Sequence, residues 1–230
     1  MGPLASGARL WEASVLQNVG SCVQMPTICN MSSSTKINAL IALATRGPFR
    51  TRDADSLGIP RIYIQRMVKR GVLERVSRGV YRLADGNISE HHSLVQVAVH
   101  APEAIVCLLS ALQFHGLTTE SPSAVWVMLH HKARSPRLDF QRIEVVRASG
   151  EALQHGIEVH RIEGASVRLT SREKTVADCF RYRRHVGLDV AIEALRDWLQ
   201  LRGRSMDALM AAARADRVLS VMRPYLEALA

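Results

Sequence analysis

The sequence predicts an α+β protein in which an N-terminal winged helix-turn-helix is followed by a mixed α/β domain. Short helical patterns separated by glycine and proline come before a hairpin pattern, and strand-like runs alternate with helices in the rest of the chain. The 230 residues, 47% of them hydrophobic, are enough for two cores. We predict a winged helix over residues 32–86, an α/β domain over 88–230, and a disordered extension over 1–31, where no hydrophobic period is sustained.

Three helical patterns open the first domain. The first follows a serine-rich cap and stops at Gly47, and the second is a short helix that Thr51 can cap and that Gly58 breaks. Pro60 is a favourable first residue for the third helix, which stops at Gly71. The residues that these patterns turn inward are Ile37, Leu40, Ile41, Ala44, Ala54, Leu57, Ile64, Met67 and Val68.

A β-hairpin is predicted in "RGVLERVSRGVYRLA", which follows the third helix. Two apolar-polar runs, 72–76 and 80–83, are joined by three residues that include Gly79, which can take the positive φ of a tight turn. Three short helices and a hairpin make a winged helix-turn-helix. Arg78 at the hairpin tip is placed to reach a phosphate or a narrow minor groove.

Almost all of the positive charge lies in this domain. Residues 34–84 hold eleven lysines and arginines and three acids, a net charge of +8, against +9 for the whole chain. Such a concentration favours a polyanionic partner, above all nucleic acid. A merely solvated helix face is disfavoured, because the short helix, the turn, the next helix and the hairpin occur in the order that a DNA reader needs.

The polar face of the third helix is predicted to lie in the major groove. Arg61 and Gln65, nearest the helix N-terminus, are candidates for base edges, because arginine can pair with guanine and glutamine with adenine. The residues of this face are Arg61, Gln65, Arg66 and Lys69.

Phosphate contacts are expected from the cations that flank this face, and the region of Thr51 offers backbone amides as well. The predicted phosphate-binding cations are Arg50, Arg52, Lys69 and Arg70. For Tyr63, packing in the core and contact with the DNA backbone are both open. The complete predicted DNA-binding set is Arg50, Thr51, Arg52, Arg61, Tyr63, Gln65, Arg66, Lys69, Arg70 and Arg78.

Helices and strands alternate after residue 87. Helices are predicted over 89–101, 104–115, 172–185, 188–201, 205–215 and 217–229, and strands over 124–130, 142–149, 157–163 and 166–171. This pattern predicts one α/β core of about 140 residues.

No catalytic site, metal site or cofactor is predicted in this second domain. The pairs His91-His92 and His130-His131 are adjacent residues that point in different directions, and no carboxylate stands at a matching spacing. His115 is predicted as a structural residue at a helix C-terminus, where a partial positive charge is favourable. The sequence lacks phosphate-binding glycine motifs, HExxH, CxxC and the E-x-K arrangement of metal-dependent nucleases.

Membrane insertion and secretion are not expected. The longest apolar candidate, residues 104–112, is about half of the roughly 20 residues that a spanning helix needs, and the N-terminus lacks a secretory pattern. We predict a cytoplasmic protein.

Three phrases together resemble the AbiEi-type antitoxins, a family also described as transcriptional regulators. They are "DADSLGIPRIYIQRMVKRGVLERVSRGVYRLAD", "LLSALQFHGLTTESPSAVWVML" and "VRLTSREKTVADCFRY", which occur in the family's order between about residues 34 and 201. The hairpin phrase is shared with other winged helices, so the combination is the more specific signal. Lys174 stands where the family pattern has arginine.

The resemblance implies a bacterial antitoxin of a type IV, AbiE-like abortive infection system. Such a protein represses its own operon through operator DNA and counters a nucleotidyltransferase-like toxin of the AbiEii class without needing a stable complex. Two alternatives are a winged-helix transcriptional regulator whose second domain binds a ligand or mediates oligomerisation, and an enzyme that modifies or cleaves DNA. The absence of catalytic patterns disfavours the enzyme.

Overall fold

The computed structural model describes residues 32–86, 89–136, 138 and 141–229. The predicted extension over 1–31 lies outside the described residues, and so do the first two of the four cysteines. The predicted fold class is confirmed: a winged helix-turn-helix precedes a mixed α/β unit.

The first six elements form the winged helix. They are α1 (Ser33–Thr45), β1 (Phe49–Arg50), α2 (Thr51–Ser56), α3 (Arg61–Lys69), β2 (Leu73–Ser77) and β3 (Val80–Leu83). The hydroxyl of Ser32 caps α1 by accepting a hydrogen bond from the backbone of Thr35. Strand β3 lies between β1 and β2 and pairs antiparallel with both. Two residues are too few to show an alternating pattern, so the sequence did not predict β1.

The core of the winged helix joins its three helices to the sheet. Its buried residues are Leu40, Ala44, Phe49, Ala54, Ile59, Ile64, Met67 and Leu73. The expectation for Leu57 is wrong, because this side chain is 39% exposed and Ile59 is buried in its place. Gly58 takes a φ of +66° after α2, and the amide of Ile59 then donates to the carbonyl of Ala54. This reversal of the chain turns Ile59 into the core.

The α/β unit contains a five-stranded mixed sheet. Its strands are β4 (Ile105–Val106), β5 (Val125–His130), β6 (Ile143–Ala148), β7 (Ile157–Ile162) and β8 (Ala165–Thr170). Its helices are α4 (His92–His100), α5 (Leu108–His115), α6 (Glu151–Gln154), α7 (Arg172–Arg181), α8 (Arg183–Val186), α9 (Leu188–Gln200), α10 (Met206–Ala215) and α11 (Leu219–Leu229). The strand order is β6-β5-β4-β8-β7, with β5–β6 and β4–β8 parallel and the other pairs antiparallel.

Two predicted helices of this unit are corrected by the structure. The run 104–115 begins as strand β4, which occupies the centre of the sheet between β5 and β8, and only then continues as α5. Ile105 and Val106 are β-branched and suit a strand buried on both faces, a position that local periodicity cannot distinguish from a buried helix. The predicted helix 172–185 is divided into α7 and α8 at Tyr182.

Helices cover both faces of the sheet. Along β5, Val127 and Leu129 belong to a core that includes α4, whereas Met128 belongs to a core that includes α7, α9, α10 and α11. This alternation is the period of a strand that is buried on both faces. The two buried cysteines, Cys107 and Cys179, lie in the second of these cores as free thiols, as their apolar sequence context predicts.

One ionic cluster lies inside this second core. The Lys174 ammonium contacts one carboxylate oxygen of Asp178 and both oxygens of Asp216, at 2.9 and 3.0 Å for Asp216. The side chains of all three residues are fully buried. Burial, opposed by Lys174, raises the pKa of Asp178 to about 8. A charged lysine with two aspartates is electrically neutral when one of them is protonated, and the raised pKa of Asp178 is the direction that such a neutral cluster needs.

The winged helix and the α/β unit touch through two glycines. Gly47, after α1, lies against Gly164, in the turn between β7 and β8, and a Cβ atom on Gly164 would be 2.2 Å from the carbonyl oxygen of Arg46. A second contact joins the Ser77 hydroxyl to Nε2 of His100, at 3.0 Å. Close backbone contact of this kind needs residues without side chains, so the sequence of both turns determines how the two parts approach each other.

Candidate nucleic-acid interface

Helix α3 presents a polar face opposite its buried residues. Ile64 and Met67 are buried in the core of the winged helix, and Val68 is half-buried beside them. The four side chains of the predicted major-groove face, Arg61, Gln65, Arg66 and Lys69, are all exposed. The helix begins at Arg61 with Pro60 as its N-cap, one residue later than predicted. The face is therefore available to a partner along the full length of the helix.

Arg61 is held by an acid that sequence reasoning did not single out. Its Nη2 donates to Oδ2 of Asp55, at the end of α2, over 3.1 Å. Both side chains are well exposed, so the pair contributes little stability and opens at small cost. Asp55 orients the arginine but also brings a negative charge to the edge of the face.

Tyr63 packs within the fold. It is half-buried against the core of the winged helix, and its hydroxyl lies 3.1 Å from the hydroxyl of Ser33 on α1. The guanidinium of Arg66 lies over its ring, 5.7 Å from the centroid. Of the two roles left open for Tyr63, packing is the one that its contacts match, and the ring also supports Arg66 on the exposed face.

The start of α2 differs from the expected cap. Arg50, not Thr51, is the N-cap residue, and the carboxylate of Asp53 accepts the backbone N–H of Arg50 at 2.7 Å. Thr51 is the first helical residue, and both its amide and its hydroxyl donate to the carbonyl of Gly79, at 2.9 and 3.2 Å. The expected capping role of Thr51 is wrong, because its hydroxyl is engaged by the hairpin.

The hairpin tip is fixed by these two bonds. Ser77 pairs with Val80, so the connecting loop is Arg78-Gly79, and Gly79 takes a φ of +78°. Arg78 is exposed at the tip. Since Thr51 ties the tip to the start of α2, Arg78 is held on the same structural unit as α3.

The remaining predicted cations differ in exposure. Arg52 and Arg70 are exposed, and the Nε atom of Arg52 lies 3.9 Å from Asp53, a loose contact. Arg50 is half-buried, and burial, followed by the nearby charge of Arg52, lowers its pKa. Its Nη2 nitrogen is shielded from solvent and has no hydrogen-bond partner among the described residues. Arg50 is therefore the one predicted DNA-binding cation that is not exposed.

One arginine of the basic segment, Arg82, is buried. Arg82 is 8% exposed and forms an ion pair with Glu74 across the hairpin. The two residues are directly opposite each other in the β2–β3 register. Arg82 and Glu74 neutralise each other within the fold, so Arg82 adds no net positive charge to the surface.

Two histidines of the α/β unit form hydrogen bonds within the fold. The Nδ1 atom of His92 donates to the Glu163 carboxylate at 2.8 Å, and Nε2 of His115 donates to the carbonyl of Thr170 at 2.8 Å. Burial lowers the pKa of His115 in spite of this bond, which disfavours the positive charge expected at the end of α5. Within residues 32–86, 89–136, 138 and 141–229, no group of three His, Cys, Asp or Glu residues is arranged to hold a metal ion.

These elements define the class of the first domain as a winged helix whose third helix has an exposed cationic face. Residues 38–84 match the family model described as "Transcriptional regulator, AbiEi antitoxin", which confirms the resemblance over this segment. No protein of curated function matches the sequence. Among solved structures, the RV2827C protein from Mycobacterium tuberculosis is 13% identical, with a TM-score of 0.48, over 84% of this chain and 81% of that chain. No helix in the described part of the chain is long and apolar enough to cross a membrane.

Proposed function

We propose that the protein is an AbiEi-like antitoxin and transcriptional autoregulator of the cytoplasm. In this proposal the domain of residues 32–86 binds double-stranded operator DNA and represses its own operon. The domain of residues 88–230 counters a nucleotidyltransferase-like toxin. The observation that carries the proposal is the exposed cationic face of α3 beside a fixed arginine-bearing hairpin tip, in the segment that matches AbiEi regulators.

The DNA half of the proposal assigns a role to each part of the interface. Arg61, Gln65 and Arg66 read bases from α3. The phosphate contacts come from Arg50, Arg52, Lys69, Arg70 and Arg78, and the first turn of α2 at Thr51 adds backbone amides. Tyr63 supports Arg66 from beneath.

A binding assay with the promoter region of the protein's own operon tests this half. Arg61→Ala and Arg66→Ala should each weaken specific binding by about 1–3 kcal/mol, because each removes one candidate base contact. Arg202→Ala is the matched control, since Arg202 is an exposed arginine of the α/β unit. Unchanged specific binding in both α3 variants would exclude α3 as the reading helix.

The antitoxic half is tested separately by coexpression. The Arg61→Ala, Arg66→Ala double variant of the full chain should still protect cells from a nucleotidyltransferase-like toxin encoded next to it, when both genes are placed under foreign promoters. Protection that disappears with DNA binding would contradict the assignment to residues 88–230. Absence of such a neighbouring gene would instead favour a regulator without a toxin.

A further inference from the structure

A cleft of about 320 Å³ lies between the winged helix and the α/β unit. One wall is formed by the end of α1, β1 and the start of α2, and the other by α4 with the start of β8. The contact of Gly47 with Gly164 lies within the cleft lining and sets the distance between the two walls. The volume is in the range of small-molecule sites, which begin at about 300 Å³.

The wall on the winged helix is cationic. Arg46, Arg50 and Arg52 all line the cleft, and Asp53 is the one acid among the lining residues that the structure describes. The carboxylate of Asp53 is already engaged, because one oxygen accepts the backbone N–H of Arg50 at 2.7 Å and the other lies 3.9 Å from Arg52. The cleft therefore has more positive charge than its own acid can balance.

Arg50 supplies an unused donor at this wall. Its Nη2 atom is shielded from water and lacks a hydrogen-bond partner in the described parts of the chain. A guanidinium nitrogen without an acceptor is rare in native proteins, and a bound ion is one of the explanations for it. Burial and the nearby charge of Arg52 lower the pKa of Arg50, and Asp53 opposes them less strongly, so an anion beside the two guanidinium groups would be favourable.

The opposite wall is neutral and partly apolar. Ala98, Val99 and Pro102 contribute apolar surface, and Ser166 contributes an exposed hydroxyl. A ligand with an anionic group at one end and an apolar or planar body would match both walls. Phosphate suits the cationic end best, because guanidinium groups can bind its oxygens in pairs.

We propose that this cleft binds a small phosphate-bearing molecule of nucleoside monophosphate size, with the phosphate on Arg46, Arg50 and Arg52. This site goes beyond the proposed function, since it needs neither operator nor toxin. The same arginines could instead meet a phosphate of the DNA backbone, as the interface assignment for Arg50 and Arg52 implies. A binding experiment without DNA, together with a substitution on the α/β wall of the cleft, distinguishes a small-molecule phosphate from a phosphate of the DNA backbone.

Isothermal titration calorimetry of the full chain with adenosine monophosphate, in the absence of DNA, is the test. Adenosine is the probe without phosphate and should bind at least about tenfold more weakly, a difference of about 1.4 kcal/mol. Arg50→Met keeps the apolar stem but removes the charge, and it should weaken binding of the monophosphate by about tenfold or more. Arg202→Met is the matched control.

Ser166→Trp places a large ring in the cleft from the exposed position on β8. This variant should lose the monophosphate while its operator affinity stays unchanged, because Ser166 lies outside the proposed DNA interface. Thermal melting identifies any variant that fails to fold. Arg50→Lys then replaces Arg50→Met, with a smaller but measurable loss of affinity, because lysine keeps the charge and lacks the paired donors.

The proposal is overturned if the monophosphate shows no binding up to about 1 mM, the concentration that corresponds to about 4.1 kcal/mol. Equal affinities for adenosine and its monophosphate, or unchanged binding by both Arg50 variants, would overturn it too. Loss of DNA affinity in the Arg50 variants without any monophosphate binding would assign the arginines to the DNA backbone instead.

Discussion

The salt dependence of operator binding is a direct measure of the proposed phosphate contacts. Each neutralised phosphate contributes about −0.9 to the slope of log K against log salt concentration. The structure leaves four of the proposed phosphate-binding cations exposed, namely Arg52, Lys69, Arg70 and Arg78, and half-buries Arg50. If the four exposed cations engage phosphates, we expect a slope of about −3.6; with Arg50 included, we expect about −4.5.

Single substitutions test each contact. Lys69→Ala and Arg78→Ala should each make the slope less steep by about 0.9, and the double variant by about 1.8, because the two cations lie on α3 and on the hairpin tip. Fluorescence anisotropy of a labelled operator duplex between about 50 and 200 mM salt gives these slopes. The control Arg202→Ala should keep the parental slope.

A slope that stays the same in the double variant would refute the reasoning, because α3 and the hairpin would then contact no phosphate. A wild-type slope nearer −3.6 than −4.5 would place Arg50 outside the DNA contacts, in agreement with its position in the cleft.

The other predictions concern stability. Lys174→Met should destabilise the protein by about 3–5 kcal/mol in urea unfolding, because Asp178 and Asp216 lose their buried cation; a loss below about 1 kcal/mol would show that the aspartates relax to water or protons. The folded state raises the pKa of Asp178 from 3.8 to about 8. Protonated Asp178 therefore adds to the free energy of unfolding in full below pH 3.8, and this stabilisation is lost as the pH rises towards 8. Asp178→Asn should therefore flatten the fall in unfolding free energy over that range, and an equal fall in both proteins would contradict the assignment. Gly164→Ala should lower the melting temperature, since its Cβ would meet the Arg46 carbonyl; an unchanged melting curve would mean that the two parts separate freely.

Much of the local structure of the winged helix could be predicted from the sequence. The helical period placed Ile64 and Met67 inside and left the opposite side of α3 polar, and Gly79 marked the hairpin turn. These features depend on residues within a few positions of each other, so backbone geometry and local hydrophobic period are enough to determine them. The four longer strands of the α/β unit, β5 to β8, could be located for the same reason.

Contacts between distant segments could not be predicted in this way. The pairing of Arg82 with Glu74 depends on the hairpin register, and Lys174 meets Asp216 only because α7 packs on α10. The sequence shows which residues are charged, but it does not show which oppositely charged residues form an ion pair in the fold. For this reason the sequence shows eleven cations in one basic segment, whereas in the structure the side chain of Arg82 is buried.

The amino-acid sequence by itself determined the three helices and the hairpin of the winged helix, the amphipathic face of α3 and the concentration of positive charge, because each is set by local composition and spacing. Only the tertiary structure decided that residues 105–106 form a central strand, that Asp55 holds Arg61, and that Arg46, Arg50 and Arg52 meet the α/β unit across a cleft. These outcomes depend on which surfaces pack together, since burial and long-range pairing change the energy of a residue more than its local propensity does.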